Sequence, residues 1–190
     1  TLPQVFTLWT MTDLDRIMAH LEREARHATV IGAGFIGLEV AENLRHRGLE
    51  VHLVDILPHV LRTLDAEMAQ PLHQELAAKG VVLHLGQSAE SFASADPDGP
   101  VEVVLKNGER LRTDIVIMAV GVRPNTSLAA SAGLELAPCR GVAVDDHLRT
   151  SDPSIYAVGD MIAVRDGVTG QPVQIPLAGP ANRQGRIAAE

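Results

Sequence analysis

The stretch Ala28-Thr29-Val30-Ile31-Gly32-Ala33-Gly34-Phe35-Ile36-Gly37 decides how this chain of 190 residues folds. Its first four residues form a short apolar, β-branched run, which is typical of a buried parallel strand. Gly32 allows a sharp turn out of that strand, Gly34 has no Cβ to hold the backbone away from a ligand, and Gly37 lets a following helix pack closely on the sheet. The pattern predicts a strand–turn–helix corner whose free N–H groups bind phosphate.

An acidic residue follows at the spacing of a dinucleotide-binding unit. A helix predicted over 36–47 leads into a second strand, Val51 to Val54, which ends at Asp55. Asp55 lies 23 residues after the first glycine, where such an acid accepts hydrogen bonds from the adenine ribose. A 2′-phosphate would be repelled there, and residues 56–58 offer no cation to pair it. We therefore expect NAD rather than NADP. The alternative to nucleotide binding is a degenerate Rossmann unit that has the same pattern but binds no nucleotide.

Composition limits the class of protein. The chain is 46% hydrophobic and 21% charged, which is typical of a globular protein. A net charge of −8 argues against nucleic acid or an anionic membrane as a partner. The single cysteine excludes an internal disulfide framework, and no export signal is evident, so we expect a cytoplasmic protein. The eight histidines are scattered without the spacing of a metal site, and no metal is expected.

Strand and helix patterns alternate along the chain and predict an α/β fold. Residues 28–124 are predicted to form a Rossmann-like domain, which consists of a parallel sheet with helices and a β-meander. A connector strand and helix over 1–27 precede it. A further segment follows over 125–190. The predicted elements are a strand at 5–9, a helix capped by Thr12 and ending near 24, a helix at 66–79 capped by Asp65, a strand at 81–85, a hairpin of 101–105 and 109–113 around Asn107-Gly108, a strand at 115–120, a helix at 128–132 and a strand at 155–158.

A second motif runs from Thr150 to Asp160. Its predicted strand, Ile155 to Val158, ends in Gly159-Asp160, and open α/β sheets bind ligands at the carboxyl ends of their strands. Asp160 could accept a hydrogen bond from a cofactor hydroxyl there. Taken alone, it is equally compatible with a surface aspartate in a turn.

Together these motifs resemble the FAD-dependent pyridine nucleotide-disulfide oxidoreductases, flavoproteins of the glutathione-reductase fold. The motifs are the glycine corner with Asp55, the block from Asp114 to Asn125, and the block from Thr150 to Asp160. The amino-acid sequences of segments 5–13, 35–44 and 176–186 are similar to those of the coenzyme A-disulfide reductase and NADH oxidase branch. The resemblance implies an NADH-binding domain at 28–124 and the C-terminal portion of an FAD-binding domain at 125–190.

The resemblance also implies roles for individual residues. Phe35 would be an aromatic gate over the flavin, the alternative being simple packing between helix and sheet. Glu39 would approach the nicotinamide carboxamide, the alternative being a solvated helix charge. The residues implied in NADH binding are Gly32, Gly34, Phe35, Ile36, Gly37, Glu39, Asp55 and Gly121. The residues implied in FAD binding are Gly159, Asp160, Leu177 and Ala178.

Complete members of the family also carry an upstream FAD-binding glycine motif, a redox cysteine and a dimerisation domain. This sequence has one such glycine motif, and Cys139 lies in a predicted turn without a partner thiol. We therefore expect an internal fragment of a homodimeric flavoprotein, inactive alone, in which hydride passes from NADH to FAD and on to a cysteine outside this chain. A disulfide or persulfide would be the substrate. The alternatives are a ferredoxin-reductase-like electron-transfer flavoprotein and a non-catalytic NAD-sensing module.

Overall fold

A computed structural model describes residues 2–190 of the chain. These residues divide into two compact units, with the division between Gly121 and Val122. Within this part of the chain, no helix has the length and apolar character needed to cross a membrane. The predicted α/β class is confirmed, with a parallel sheet, helices and a β-meander.

The first unit alternates strands and helices and then closes with antiparallel strands. Its elements are β1 (Val5–Thr7), α1 (Met11–Leu21), β2 (His27–Ile31), α2 (Phe35–His46), β3 (Glu50–Asp55), α3 (Ala66–Ala78), β4 (Val81–Leu85), β5 (Ala89–Ala93), β6 (Val101–Leu105), β7 (Arg110–Thr113) and β8 (Ile115–Met118).

A parallel sheet of five strands in the order β1-β8-β2-β3-β4 forms the centre of the first unit. The segment predicted as a connector thus contributes its edge strand, because β1 pairs with β8. The sheet residues Val30, Leu53 and Ile117 are buried together with Ala41 and Leu44 of α2. Continuous apolar runs form these strands because a parallel sheet is covered on both faces.

The other face of this sheet is covered by the antiparallel meander of β5, β6 and β7. Val103, Leu105 and Leu111 of the meander pack in one buried cluster with Val54 and Val116 of the sheet. The predicted hairpin is confirmed, because β6 and β7 pair across the turn that contains Asn107 and Gly108. Strand β5 was not predicted; its short run has no strict alternation of apolar and polar residues.

The second unit contains shorter elements. They are α4 (Ser127–Ser131), β9 (Val142–Ala143), a 3₁₀ turn (Gly159–Met161), β10 (Ile162–Arg165), β11 (Pro172–Val173) and α5 (Ala178–Ala189). The strands form a sheet in the order β11-β10-β9. A small cluster of buried residues holds the unit together: Ala129, Val142, Leu148, Ala157 and Ile162.

Three local predictions differ from the structure. Asp65 precedes α3 as predicted, but its side chain accepts no capping hydrogen bond from the described residues. Helix α1 is capped by Thr10 rather than Thr12, because the Thr10 hydroxyl accepts a hydrogen bond from the Asp13 N–H at 3.2 Å while Asp13 Oδ2 accepts the Thr10 N–H at 3.0 Å. This reciprocal capping box satisfies two N–H groups at once.

The strand expected at 155–158 is not formed: an isolated bridge joins Tyr156 to Arg149, and Gly159 then turns the chain with a φ of +78°.

Candidate functional site

Three glycines shape the corner between β2 and α2. Gly32 has a φ of +106°, and a Cβ there would overlap the carbonyl oxygen of Ala119. A Cβ at Gly37 would overlap the carbonyl oxygen of Gly32, so glycine lets α2 approach the strand closely. A Cβ at Gly34 would instead project into open space. Packing therefore explains the first and third glycines, whereas the second leaves room for a ligand.

The first turn of α2 is open to an anion. Gly34 is the residue that precedes the helix, and no side chain in the described part of the chain caps this end. The first N–H groups of a helix have no acceptor within it, and they form the positive end of its dipole. The corner thus offers the donors and the space that a diphosphate needs.

The carboxylate of Asp55 lies directly against this corner. Its Oδ2 accepts a hydrogen bond from the Ala33 N–H at 2.6 Å, and its Oδ1 accepts one from the Leu57 N–H at 2.8 Å. Asp55 is half-buried at the end of β3. A carboxylate has about four lone-pair directions, so these two bonds fix its orientation and leave acceptor capacity for the hydroxyl groups of a sugar.

The loop after Asp55 folds back over the corner. The Leu61 N–H donates to the Ala33 carbonyl oxygen at 2.9 Å, and Val60 is fully buried. Arg62 follows immediately and its side chain is exposed. The sequence prediction considered 56–58 as partners for a 2′-phosphate and missed this cation. The apolar residue Val60 was the signal, because a buried side chain in a short loop holds the residues that follow it near the corner.

The residues predicted for the nicotinamide half lie at the start of α2 and after β8. Phe35 is the first residue of α2 and is 53% exposed, so packing between helix and sheet does not account for it. Glu39 is exposed one turn later, and Ile36 packs partly buried against the main core. Gly121 has a φ of +101° and open space at its Cβ position. That these residues contact nicotinamide stays a prediction.

The four residues predicted for FAD lie in the 3₁₀ turn and at the N-terminus of α5, both in the second unit. The Gly159 N–H donates to Oε1 of Gln184 on α5 at 2.8 Å, which joins the 3₁₀ turn to that helix. Asp160 is exposed in the same turn. Leu177 caps α5 at its N-terminus without a side-chain hydrogen bond from the described residues, and Ala178 begins the helix. The uncapped N–H groups of α5 and the Asp160 carboxylate are groups that can bind a polar cofactor.

Neither a metal nor a thiol centre is formed by the described residues. They contain no group of three or more histidine, cysteine or acidic side chains placed to hold a metal ion. Cys139 is half-buried and is the one free cysteine among them.

The chain matches one protein family and is similar to proteins of known structure. The family described as "Pyridine nucleotide-disulphide oxidoreductase" matches residues 2–185. An NADH oxidase of Methanocaldococcus jannaschii is 38% identical over 98% of this chain and 41% of its own length. The crystal structure of reduced Bacillus anthracis CoADR-RHD has a TM-score of 0.90 and 44% identity, with 98% of this chain and 33% of that chain covered.

A third relative is the NAD-dependent persulfide reductase from A. fulgidus. Its structure has a TM-score of 0.92 and 38% identity, with 98% of this chain and 34% of that chain covered. The chain thus spans between about a third and two fifths of the length of these relatives. FAD and NAD(H) are the cofactors of the family. With its glycine corner, its meander and a match over nearly its whole length, the chain belongs to the pyridine nucleotide-disulphide oxidoreductase family.

Proposed function

We propose that the glycine corner of the first unit binds NADH. The observation that carries this proposal is the carboxylate of Asp55, which is bonded to the Ala33 N–H beside an uncapped helix N-terminus. A diphosphate needs donors and a ribose needs an acceptor, and both are present in one corner. We assign NADH binding to residues 28–124 and the C-terminal portion of an FAD-binding domain to residues 125–190.

Each predicted residue takes a part in this proposal. Gly32, Gly34, Ile36 and Gly37 hold the diphosphate through backbone groups, and Asp55 accepts from the adenine ribose. The nicotinamide half lies near Phe35, Glu39 and Gly121. FAD is held in part by Gly159, Asp160, Leu177 and Ala178.

The proposed reaction is that of a flavoprotein oxidoreductase acting on a disulfide or persulfide. When bound, FAD would supply the redox chemistry that passes a hydride from NADH on as electrons to a cysteine outside this chain. Two relatives, an NADH oxidase and an NAD-dependent persulfide reductase, support this class of reaction. The groups of this chain bind and orient, and we assign no catalytic residue to it. The homodimer and the cytoplasmic location stay predictions.

The preference for NADH over NADPH depends on two opposed charges. Asp55 repels a 2′-phosphate, whereas the exposed guanidinium of Arg62 attracts it. Asp55 lies against the corner through a hydrogen bond of 2.6 Å, whereas Arg62 is exposed to solvent. Solvent screens an exposed charge more strongly, so we propose that NADH is preferred and that Arg62 reduces the preference.

Calorimetric titration of this chain with NADH tests the binding proposal. Replacing Asp55 with Asn keeps its shape and removes its charge, and we expect Kd to rise about tenfold to a hundredfold, as for the loss of a charged hydrogen bond. Asp146→Asn removes an exposed acid from the second unit and should leave Kd unchanged. The proposal is wrong if the unaltered chain does not bind NADH, or if both variants bind it equally well.

A second measurement tests whether this polypeptide turns over NADH. We expect no oxidation of NADH, followed by absorbance, when FAD and a disulfide are added. The reason is that Cys139, the one cysteine of the chain, has no partner thiol and lies in a turn of the second unit. Rapid oxidation would contradict a reaction that needs a cysteine outside the chain. It would favour the electron-transfer alternative, in which no cysteine takes part.

A further inference from the structure

A cavity of about 320 Å³ lies at the amino-terminal end of the parallel sheet in the first unit. It is lined by Glu24, Arg26, His27, Arg112 and Asp114. His27 begins β2, whereas the glycine corner follows the last residue of the same strand. At about 3.3 Å per residue, the two ends of this strand are separated by roughly 15 Å. The cavity is therefore separate from the proposed nucleotide site.

One acid of the cavity is already satisfied by the protein. Oδ2 of Asp114 accepts hydrogen bonds from the N–H groups of Arg26 and His27, at 2.8 and 2.9 Å. The ring Nδ1 of His27 lies 3.3 Å from the same oxygen. Partial burial raises the pKa of Asp114, but these hydrogen bonds outweigh burial and lower it overall. Asp114 thus stays ionised, and its charge is engaged by groups other than the two guanidinium groups.

The two arginines lack such partners. Arg112 lies opposite Glu102 in the register of β6 and β7. The carboxylate of Glu102, however, accepts a hydrogen bond from Nη1 of Arg110 at 2.5 Å. Among the described residues, neither the Arg112 nor the Arg26 guanidinium forms an ion pair with an acid. Two exposed arginines without an ion pair to the described residues therefore line the cavity, together with the carboxylates of Glu24 and Asp114.

We propose that this cavity binds the phosphate group of a small phosphorylated compound between Arg26 and Arg112. A guanidinium offers parallel N–H donors that match two phosphate oxygens, and two of them can hold one phosphate from opposite sides. The volume is at the lower end of the range for small-molecule sites. Glu24, which also lines the cavity, would accept a hydrogen bond from a hydroxyl group of the same ligand.

Titration with inorganic phosphate, followed by calorimetry, tests this site. The titration is carried out on the unaltered chain with and without saturating NADH, because phosphate could also bind at the glycine corner. We expect a saturable phase that NADH does not remove. Arg112→Gln and Arg26→Gln should each weaken that phase about tenfold, the effect of one charged hydrogen bond. Arg165→Gln removes an exposed arginine of the second unit and should leave it unchanged.

Further outcomes decide between recognition and simple charge attraction. Arg112→Lys keeps the positive charge but removes the two parallel N–H donors of the guanidinium group. We therefore expect its affinity for phosphate to lie between that of the unaltered chain and that of Arg112→Gln. Equal weakening by all three glutamine variants, a linear response without saturation, or complete loss of the phase with NADH would each overturn the proposal. Failure of NADH to bind would count against the nucleotide proposal alone, because the phosphate phase depends on different residues.

Discussion

The two units differ in how completely they bury their apolar side chains. In the first, central strands are covered on one face by helices and on the other by the meander, and Leu53 is fully buried. In the second, α5 has no buried residue, and Leu128 and Val168 are 80% and 95% exposed. The first unit therefore depends on its own core for stability, whereas the second is held by a small cluster and by local hydrogen bonds.

The largest expected effect is removal of a core side chain from the first unit. Leu53→Ala should lower the free energy of unfolding by about 4 kcal/mol, because rigid neighbours leave a cavity. Ile162→Ala in the second unit, where Ile162 is 2% exposed, should cost about 2 kcal/mol because its small cluster can relax. Denaturant unfolding, with hydrogen exchange to report on each unit, measures both. Equal costs would remove the distinction between the units.

A somewhat smaller effect is expected at the corner itself. Gly32→Ala should lower the stability of the first unit by about 3 kcal/mol, because the new Cβ overlaps Ala119 and the φ of +106° is unfavourable. Gly34→Ala adds the same methyl group to open space. It should leave unfolding unchanged and weaken NADH binding, measured by calorimetry. Stability losses of similar size in both variants would contradict the separate roles of these glycines.

In the second unit, one hydrogen bond should contribute measurably. Gln184→Ala removes the acceptor of the Gly159 N–H and should reduce local stability by about 1 kcal/mol. Hydrogen exchange at Gly159 reports this change directly. Asn182→Ala, at an exposed position on the same helix, is the matched control and should have little effect. Unchanged exchange in Gln184→Ala would show that other contacts hold α5 against the 3₁₀ turn.

The smallest expected effect is a pH dependence confined to the first unit. Nδ1 of His52 lies 2.8 Å from Nε2 of His84, and His84 Nδ1 lies 3.4 Å from Glu109. Burial, and then the charge of His84, lower the pKa of His52, although Glu109 and Glu50 oppose this. The unfolded chain therefore binds more protons, and stability should decrease as pH falls below about 6.5, the ordinary histidine value.

His52→Asn tests this pH dependence, because it keeps a polar group near the position of Nδ1 and cannot take up a proton. The slope of stability against pH should become flatter between about 6.5 and the lowered pKa. His147→Asn, at an exposed position in the second unit, is the control and should keep the slope. An unchanged slope in His52→Asn would assign the acid sensitivity to other groups.

Prediction from sequence succeeded for elements whose conformation is decided by the residues of one short segment. Strand β4 was predicted with the bounds that the structure shows, Val81 to Leu85, because an apolar run follows Gly80, a residue that stops the preceding helix. The hairpin was predicted from Asn107-Gly108, since this pair favours the backbone of a tight turn. The strand predicted at 155–158 failed because a strand needs a neighbour along its length, and pairing is not visible in the segment itself.

The sequence by itself determined the corner, the parallel strands and the acid at the end of β3. Each of these depends on the backbone preferences of glycine and β-branched residues within a short segment. Only the tertiary structure decided what lies around them. It brought Leu61 back to Ala33 and so placed Arg62 nearby, and it assigned Glu102 to Arg110 rather than to Arg112. These contacts join residues that are distant in the chain or compete for one partner, so they depend on packing rather than on local pattern.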